Sequence, residues 1–91
     1  MFKRTVNLVE SDEGYSVEVL GRTGLRYTEG EKRMHIDSEV LNASEIAVVE
    51  SSIQAWDSPF EAEVIDDKKR AVILENIRRA FTFMNAIMER W

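Results

Sequence analysis

The sequence predicts an α+β fold: an antiparallel, twisted β-sheet of about five strands with one long C-terminal helix packed on one face. Segments in which apolar and polar residues alternate fill the first half of the chain, as expected for half-buried strands. The last quarter instead has apolar residues at steps of three and four, the spacing of an amphipathic helix. With 91 residues, the chain is expected to form a single domain, residues 1–91, around one hydrophobic core.

The predicted strands follow one another from the N-terminus. Residues 2–10 alternate loosely and are expected to form a first, edge-like strand, whereas residues 15–20 alternate cleanly and predict a half-buried strand. Residues 25–28 and 32–36 flank a turn that contains Gly30. This pair predicts a hairpin whose glycine supplies the positive φ of a tight turn.

The middle of the chain has a weaker pattern. Residues 37–44 are compatible with a loop or with one helical turn, while residues 46–49 form a short apolar run that predicts another strand. Pro59 disfavours the helical conformation for the residue before it, so a regular element is expected to end there. Residues 60–65 are then expected to be extended, with Phe60 and Val64 or Ile65 fastening this loop to the body of the protein.

The C-terminal quarter predicts a helix that begins at two aspartates. Asp66 and Asp67 are expected to cap the helix and to place negative charge at the positive end of its dipole. Two endings are compatible with the pattern: the helix continues to Trp91, or Asn85 ends it in the left-handed conformation and residues 86–91 form a final strand. The apolar stripe of the helix consists of Ile73, Leu74, Ile77, Ala80, Phe81 and Met84.

Net charge narrows the class of partner. Twelve Lys and Arg against seventeen Asp and Glu give −5, which argues against nucleic acid and anionic membranes because both normally require a basic surface. The negative charge is concentrated in residues 37–67, a segment without Lys or Arg. Such a segment fits either a solvated surface or a surface that steers a basic partner. Its nine acids are Asp37, Glu39, Glu45, Glu50, Asp57, Glu61, Glu63, Asp66 and Asp67.

The composition also predicts a cytoplasmic location. The chain has no cysteine, which rules out disulfides, thiolate metal sites and thiol nucleophiles and favours a reducing compartment. Its apolar runs, such as residues 71–74, are far shorter than the roughly 20 residues of a membrane span. Residues 1–7 are not followed by the apolar stretch of a signal peptide.

No motif predicts catalysis, a metal site or a cofactor. His35 is the only histidine, and Asp37 and Ser38 follow it on the same strand, whereas the members of a Ser-His-Asp triad must line up in series. The carboxylates of residues 61–67 match neither a calcium loop nor a zinc motif. Residues 21–24 lack the lysine and the helix that follow a phosphate-binding loop. The chain is therefore not expected to be an enzyme.

Trp56 has two interpretations. It directly precedes the break at residues 57–59. One possibility is that its ring anchors this loop in the core. The other is that the ring lies partly exposed among acids, where a tryptophan can dominate the affinity of an interface.

Several short segments, taken in order, resemble one family of proteins. They are residues 27–30, 36–41, 51–59, 65–67 and 76–81. Together they are similar to small bacterial immunity proteins of polymorphic toxin systems, those of the Immunity protein 74 type. The chain departs from the family pattern near its end, where Met84 and Asn85 replace a glycine-containing turn before the last strand.

The resemblance implies a small α+β protein that binds and neutralises a cognate toxin domain, often a nuclease. A nuclease presents a basic cleft, which an acidic surface can approach quickly and occupy. The alternative is a small self-associating module whose acids only favour solubility, and either a monomer or a weak homodimer is compatible with the sequence. The expected partner-binding residues are Asp37, Glu39, Glu45, Glu50, Trp56, Asp57, Glu61 and Glu63.

Overall fold

The computed structural model describes residues 2–4 and 7–91, and it contains seven strands and one long helix within them. A short 3-10 helix, Glu50–Ser52, follows the sixth strand. In chain order the main elements are β1 (Phe2–Arg4), β2 (Leu8–Ser11), β3 (Tyr15–Val19), β4 (Thr23–Glu29), β5 (Lys32–Asn42), β6 (Glu45–Val48), α1 (Asp67–Phe83) and β7 (Ile87–Arg90).

The strands form one sheet whose spatial order equals the chain order, from β1 to β7. Neighbouring strands from β1 to β6 are antiparallel because short connections reverse the chain between them. β7 instead pairs with β6 in parallel, since α1 carries the chain back along the sheet before β7 begins. The predicted α+β class with one covering helix is confirmed, while the sheet has more strands than expected and is mixed rather than purely antiparallel.

The first strand was predicted wrongly as a single element. The chain forms two antiparallel strands here, with Phe2 opposite Ser11, and residues 5 and 6 between them lie outside the described part. The reversal brings the ring of Phe2 to 6.3 Å from that of Tyr15 and to 5.2 Å from that of Phe83. The contact between Phe2 and Phe83 of the helix requires that the chain reverse between β1 and β2.

Residues 37–44 form neither a loop nor a helical turn over most of their length. β5 continues through them to Asn42. The alternation of the preceding hairpin persists here, because Ile36 and Ser38 are buried while Asp37 and Glu39 are exposed. The segment is rich in polar residues because one face of this strand is exposed to solvent.

Residues 60–63 form turns rather than the expected extended segment. The backbone N–H of Phe60 donates to the carbonyl of Asp57 at 3.0 Å, and the N–H of Glu63 donates to the carbonyl of Phe60 at 3.0 Å, so two turns follow one another. Ile65 is buried and Phe60 packs partly against the core. Phe60 and Ile65 hold the loop to the body as expected, whereas Val64, the other expected contact, is exposed.

The core lies between the sheet and α1. Side chains of alternate strand residues, such as Val17, Leu25 and Ile36, are fully buried. They form one cluster with the predicted apolar stripe of the helix, whose members are buried except for Met84, which packs at its border. The period-3.6 pattern therefore identified the buried face of α1 correctly.

Both ends of α1 follow from their residues. The side chain of Asp66 accepts a hydrogen bond from the backbone N–H of Lys69 at 2.7 Å and caps the first turn. At the other end Asn85 adopts φ = 60°, a conformation that asparagine tolerates better than most residues. Of the two predicted endings, the structure has the helix-turn-strand one, and β7 begins at Ile87.

Candidate partner-binding surface

The strands expose the face of the sheet that is turned away from α1, which we call the open face. In β5 the buried Met34 and Ile36 alternate with exposed residues, because successive side chains of a strand lie on opposite faces. Residues paired directly across strands share a face. The charged residues of β5 on the open face are Arg33, His35, Asp37 and Glu39.

Carboxylates gather where β5, β6 and β7 lie side by side on the open face. Glu39 is in register with Ala47, and Ala47 with Glu89, so the two glutamates flank a fully buried alanine. At a strand spacing of about 4.8 Å their Cα atoms lie about 10 Å apart. We name four residues of this region the acidic group: Asp37, Glu39, Glu45 and Glu89.

Bases of the described residues neutralise little of the acidic group. Asp37 has only His35 nearby, with Oδ1 3.7 Å from Nδ1, and Glu45 accepts a hydrogen bond from the Asn42 amide at 2.9 Å. Glu39 and Glu89 form no ion pair within the described part of the chain. These carboxylates are therefore available to the cations of a partner.

An exposed apolar side chain lies beside these carboxylates. Ile87 is in register with Glu45 on the neighbouring strand, and 64% of its surface is exposed. The combination of an apolar side chain with surrounding charge is typical of protein interfaces, whose centre is apolar and whose rim is polar.

Other acids of the base-free segment are neutralised by bases from elsewhere in the chain. Arg90 lies 2.8 Å from a carboxylate oxygen of Glu50, and Lys32 lies 2.6 Å from one of Glu63. Arg70 contacts Asp67 at 2.6 Å. Part of the negative charge of residues 37–67 is thus neutralised in the folded protein by bases that lie outside this segment of the chain.

Asp57 and Glu61 lie apart from the acidic group. The backbone N–H of Asp57 donates to the carbonyl of Arg33 at 2.8 Å, which places the loop beside the first residues of β5. Glu45 lies beside the last residues of the same strand, opposite Asn42. The two ends of β5 are roughly 30 Å apart at the usual rise per residue, so the predicted acids do not form one compact patch.

Trp56 belongs to the core, which corrects its assignment as a partly exposed anchor. Only 3% of its surface is exposed. Its ring stacks on that of Tyr27 at a centroid distance of 6.1 Å, and Lys32 Nζ lies 6.0 Å above it. The core interpretation of Trp56 is therefore the one the structure supports, and the residue presents no surface to a partner.

The histidine and its neighbours do not form a catalytic arrangement. His35 and Asp37 lie on the open face, whereas Ser38 is buried on the opposite side of β5. His35 instead packs over Gly24, where a β-carbon would lie 2.8 Å from Nε2. Gly24 has φ = 91° at an irregularity of the β4–β5 pairing, so both its conformation and its neighbour favour glycine.

Sequence reasoning missed Glu89 and Ile87 as members of the candidate surface. Both lie outside the base-free segment, and only the parallel pairing of β7 with β6 brings them beside Glu45 and Ala47. Residues 87–90 do not alternate, because two apolar residues precede two charged ones, and no local signal indicates which strand they join.

The described residues contain neither a candidate metal site nor a candidate membrane span. Among residues 2–4 and 7–91, no three or more His, Asp or Glu side chains are grouped so that they could hold a metal ion. In the same residues, no helix combines the length and the apolar character needed to cross a membrane.

The sequence matches the family model of Immunity protein 74 over residues 16–89. The matched region begins in β3 and ends in β7, so it includes α1 and all four members of the acidic group. Searches among curated proteins and among solved structures found no match.

Proposed function

The chain belongs to the Immunity protein 74 family, and from this premise we propose that it is a non-enzymatic immunity protein that binds and neutralises a cognate toxin domain through the acidic group. The toxin is proposed to be a nuclease, because carboxylates can occupy the basic sites that such an enzyme uses for phosphates. The cytoplasmic location expected from the absence of cysteine is part of this proposal.

The acidic group is the observation that supports this proposal best. Its carboxylates lie on one face of the sheet, and Glu39 and Glu89 have no ion pair within the described residues. The strands fix the backbone positions of these charges, so binding orders their side chains without also having to order the backbone. Such a surface both accelerates encounter with a basic partner and fixes its orientation.

The remaining acids are proposed to have a smaller role. Asp57 and Glu61 are exposed at the far end of β5, where they add to the long-range attraction without joining the same contact. Glu50 and Glu63 already have basic partners. A substitution at either would remove an intramolecular ion pair as well as a charge.

The test uses the toxin domain encoded next to the gene, which we expect to be the variable C-terminal domain of a large secreted protein. The double variant Glu39→Lys with Glu89→Lys should associate with this domain about tenfold more slowly or worse, and the rate should depend less on salt. Stopped-flow measurements between low and high ionic strength give both quantities.

A control variant with the same change of net charge separates local from global effects. Glu10→Lys with Glu31→Lys alters two exposed acids outside the acidic group, and its association rate should stay within about twofold of the wild type. Equal rates for both double variants would contradict the acidic group as the binding surface. Failure of the wild-type chain to bind the domain and to restore growth of cells that express it would contradict the immunity function itself.

A further inference from the structure

β7 is the edge of the sheet, and its backbone groups alternate in direction. The N–H of Ile87 donates to the carbonyl of Ser44 at 2.7 Å, and that of Trp91 to the carbonyl of Val48 at 2.9 Å. Because N–H and C=O of one residue point the same way in a parallel ladder, the odd-numbered residues bond to β6. The N–H and C=O groups of Met88 and Arg90 therefore point away from the sheet, where the strand order ends.

A groove runs beside this edge, between β7 and α1. Its volume is about 150 Å³, several times the roughly 30 Å³ that one water molecule takes up in the liquid. Ala71, Leu74 and Met88 supply its apolar lining. The groove can therefore accept a side chain rather than solvent alone.

The charges around the groove are already paired. Arg78 binds Glu75 through two nitrogens, and Arg90 binds Glu50 at 2.8 Å. An apolar side chain entering the groove would thus meet neutralised charges at the rim and carbon atoms inside. On the other side of β7, the open face presents Glu89.

We propose that β7 receives an extended segment of the toxin domain as an added strand, with apolar side chains in the groove and basic ones over Glu89 and Glu45. The inference rests on the proposed function and names the way in which the partner docks. Alternate side chains of an added strand point to opposite faces. A segment that alternates apolar and basic residues therefore matches both sides of this edge at once.

Charge complementarity favours the toxin over a second copy of this chain. Two copies joined at β7 by a twofold axis perpendicular to the sheet would share one continuous open face. Glu89 of each copy would then lie close to Glu89 of the other, and like charges across neighbouring strands are destabilising. A basic partner strand has no such conflict.

Amide hydrogen exchange of the free protein and of its complex with the inactivated toxin domain tests the inference directly. In the free protein the N–H groups of Met88 and Arg90 should exchange rapidly, whereas that of Glu89, which faces β6, should be protected. In the complex, protection of Met88 and Arg90 should rise at least tenfold. The N–H of Glu89 serves as the internal reference: its bond exists in both states, so its protection should rise only as far as binding slows the opening of β7.

A substitution provides the second measurement. Met88→Pro removes an outward N–H without breaking a bond to β6, and proline is tolerated at such an edge position. It should weaken the complex about tenfold or more, since one backbone hydrogen bond is lost and its acceptor is left unpaired. Met88→Leu keeps both the N–H and the apolar lining and should bind within about threefold of the wild type.

The possible results separate the two proposals. A complex in which Met88 and Arg90 exchange as rapidly as in the free protein overturns strand addition and leaves the immunity function standing. Protection of the same amides in the free protein at high concentration, together with a doubled mass, identifies a second copy as the occupant and also overturns the inference. Absence of any complex contradicts both proposals.

Discussion

Four side chains, two from the sheet and two from the helix, form a hydrogen-bonded chain at the border of the core. The hydroxyl of Tyr27 donates to Glu29 at 2.8 Å and accepts from the Asn76 amide at 2.9 Å. Lys69 binds the other oxygen of Glu29. Burial acts to raise the pKa of this carboxyl, but the hydrogen bonds from Lys69 and Tyr27 outweigh it and hold the pKa below its usual value.

Replacing Tyr27 by phenylalanine should destabilise the protein by about 1–3 kcal/mol, because two partially buried polar groups lose their common partner. Burial raises the pKa of Tyr27, with the Asn76 bond opposing and Glu29 adding to the shift. The unfolded chain therefore releases this proton first, and the stabilisation is fully present below about pH 10 and is lost above it. Denaturant unfolding of both proteins at pH 8, 10 and 11 should show their difference shrinking.

A constant difference across this range would contradict the raised pKa of Tyr27. The comparison with Tyr27→Phe removes other alkaline effects, since Tyr15 and all lysines and arginines are common to both proteins. A difference in unfolding free energy near zero at pH 8 would mean that the hydroxyl contributes no net stabilisation.

At the scale of the element, α1 depends on its first turn. Asp66→Ala should cost about 1 kcal/mol, because the N–H of Lys69 loses the side-chain acceptor that now caps it. Asp66→Asn is the matched control: the amide oxygen can still accept this bond, so the loss should be a few tenths of a kcal/mol. Thermal unfolding of the three proteins at neutral pH checks the order, and equal losses for both variants would show that charge rather than the cap matters.

Elements with strong local periodicity could be predicted from the sequence. The buried face of α1, the strand at residues 15–19 and the hairpin around Gly30 follow from patterns within one element. The second half of β5 could not, because its exposed residues are polar on a sheet face that nothing covers. Local composition does not distinguish such a strand from a loop.

The candidate surface could be predicted only in part. Asp37, Glu39 and Glu45 are neighbours in the sequence and also share the open face. The pairing of Glu50 with Arg90 and the arrival of Glu89 beside Ala47 both depend on where β7 docks. Docking of a distant strand is a property of the whole molecule, so a count of charges along the chain cannot anticipate it.

The whole molecule combines one local and one distant set of strand pairings. From β1 to β6 the paired residues are near one another in the chain, as with Thr23 and Glu39. β7 joins Glu45 to Ile87, with α1 and the preceding loop between them. Because distant pairings must close a longer loop, they are expected to form later.

Pulse-labelling hydrogen exchange during refolding should therefore protect amides of β3 and β4 before that of Glu89 in β7. The separation should be visible as two phases, the slower one belonging to β7. Protection of all these amides in a single phase would contradict the order and indicate that the sheet forms only as a complete unit.

The parallel attachment of β7 also bears on how long a complex at that edge would last. If β7 joins last, it is also the strand that opens most often while the rest of the fold stays intact. A ligand strand held by β7 would have to leave before this opening or open with it. Tight binding at the edge would therefore slow the opening of β7. The lifetime of the complex would then report the kinetic stability of the immunity protein itself.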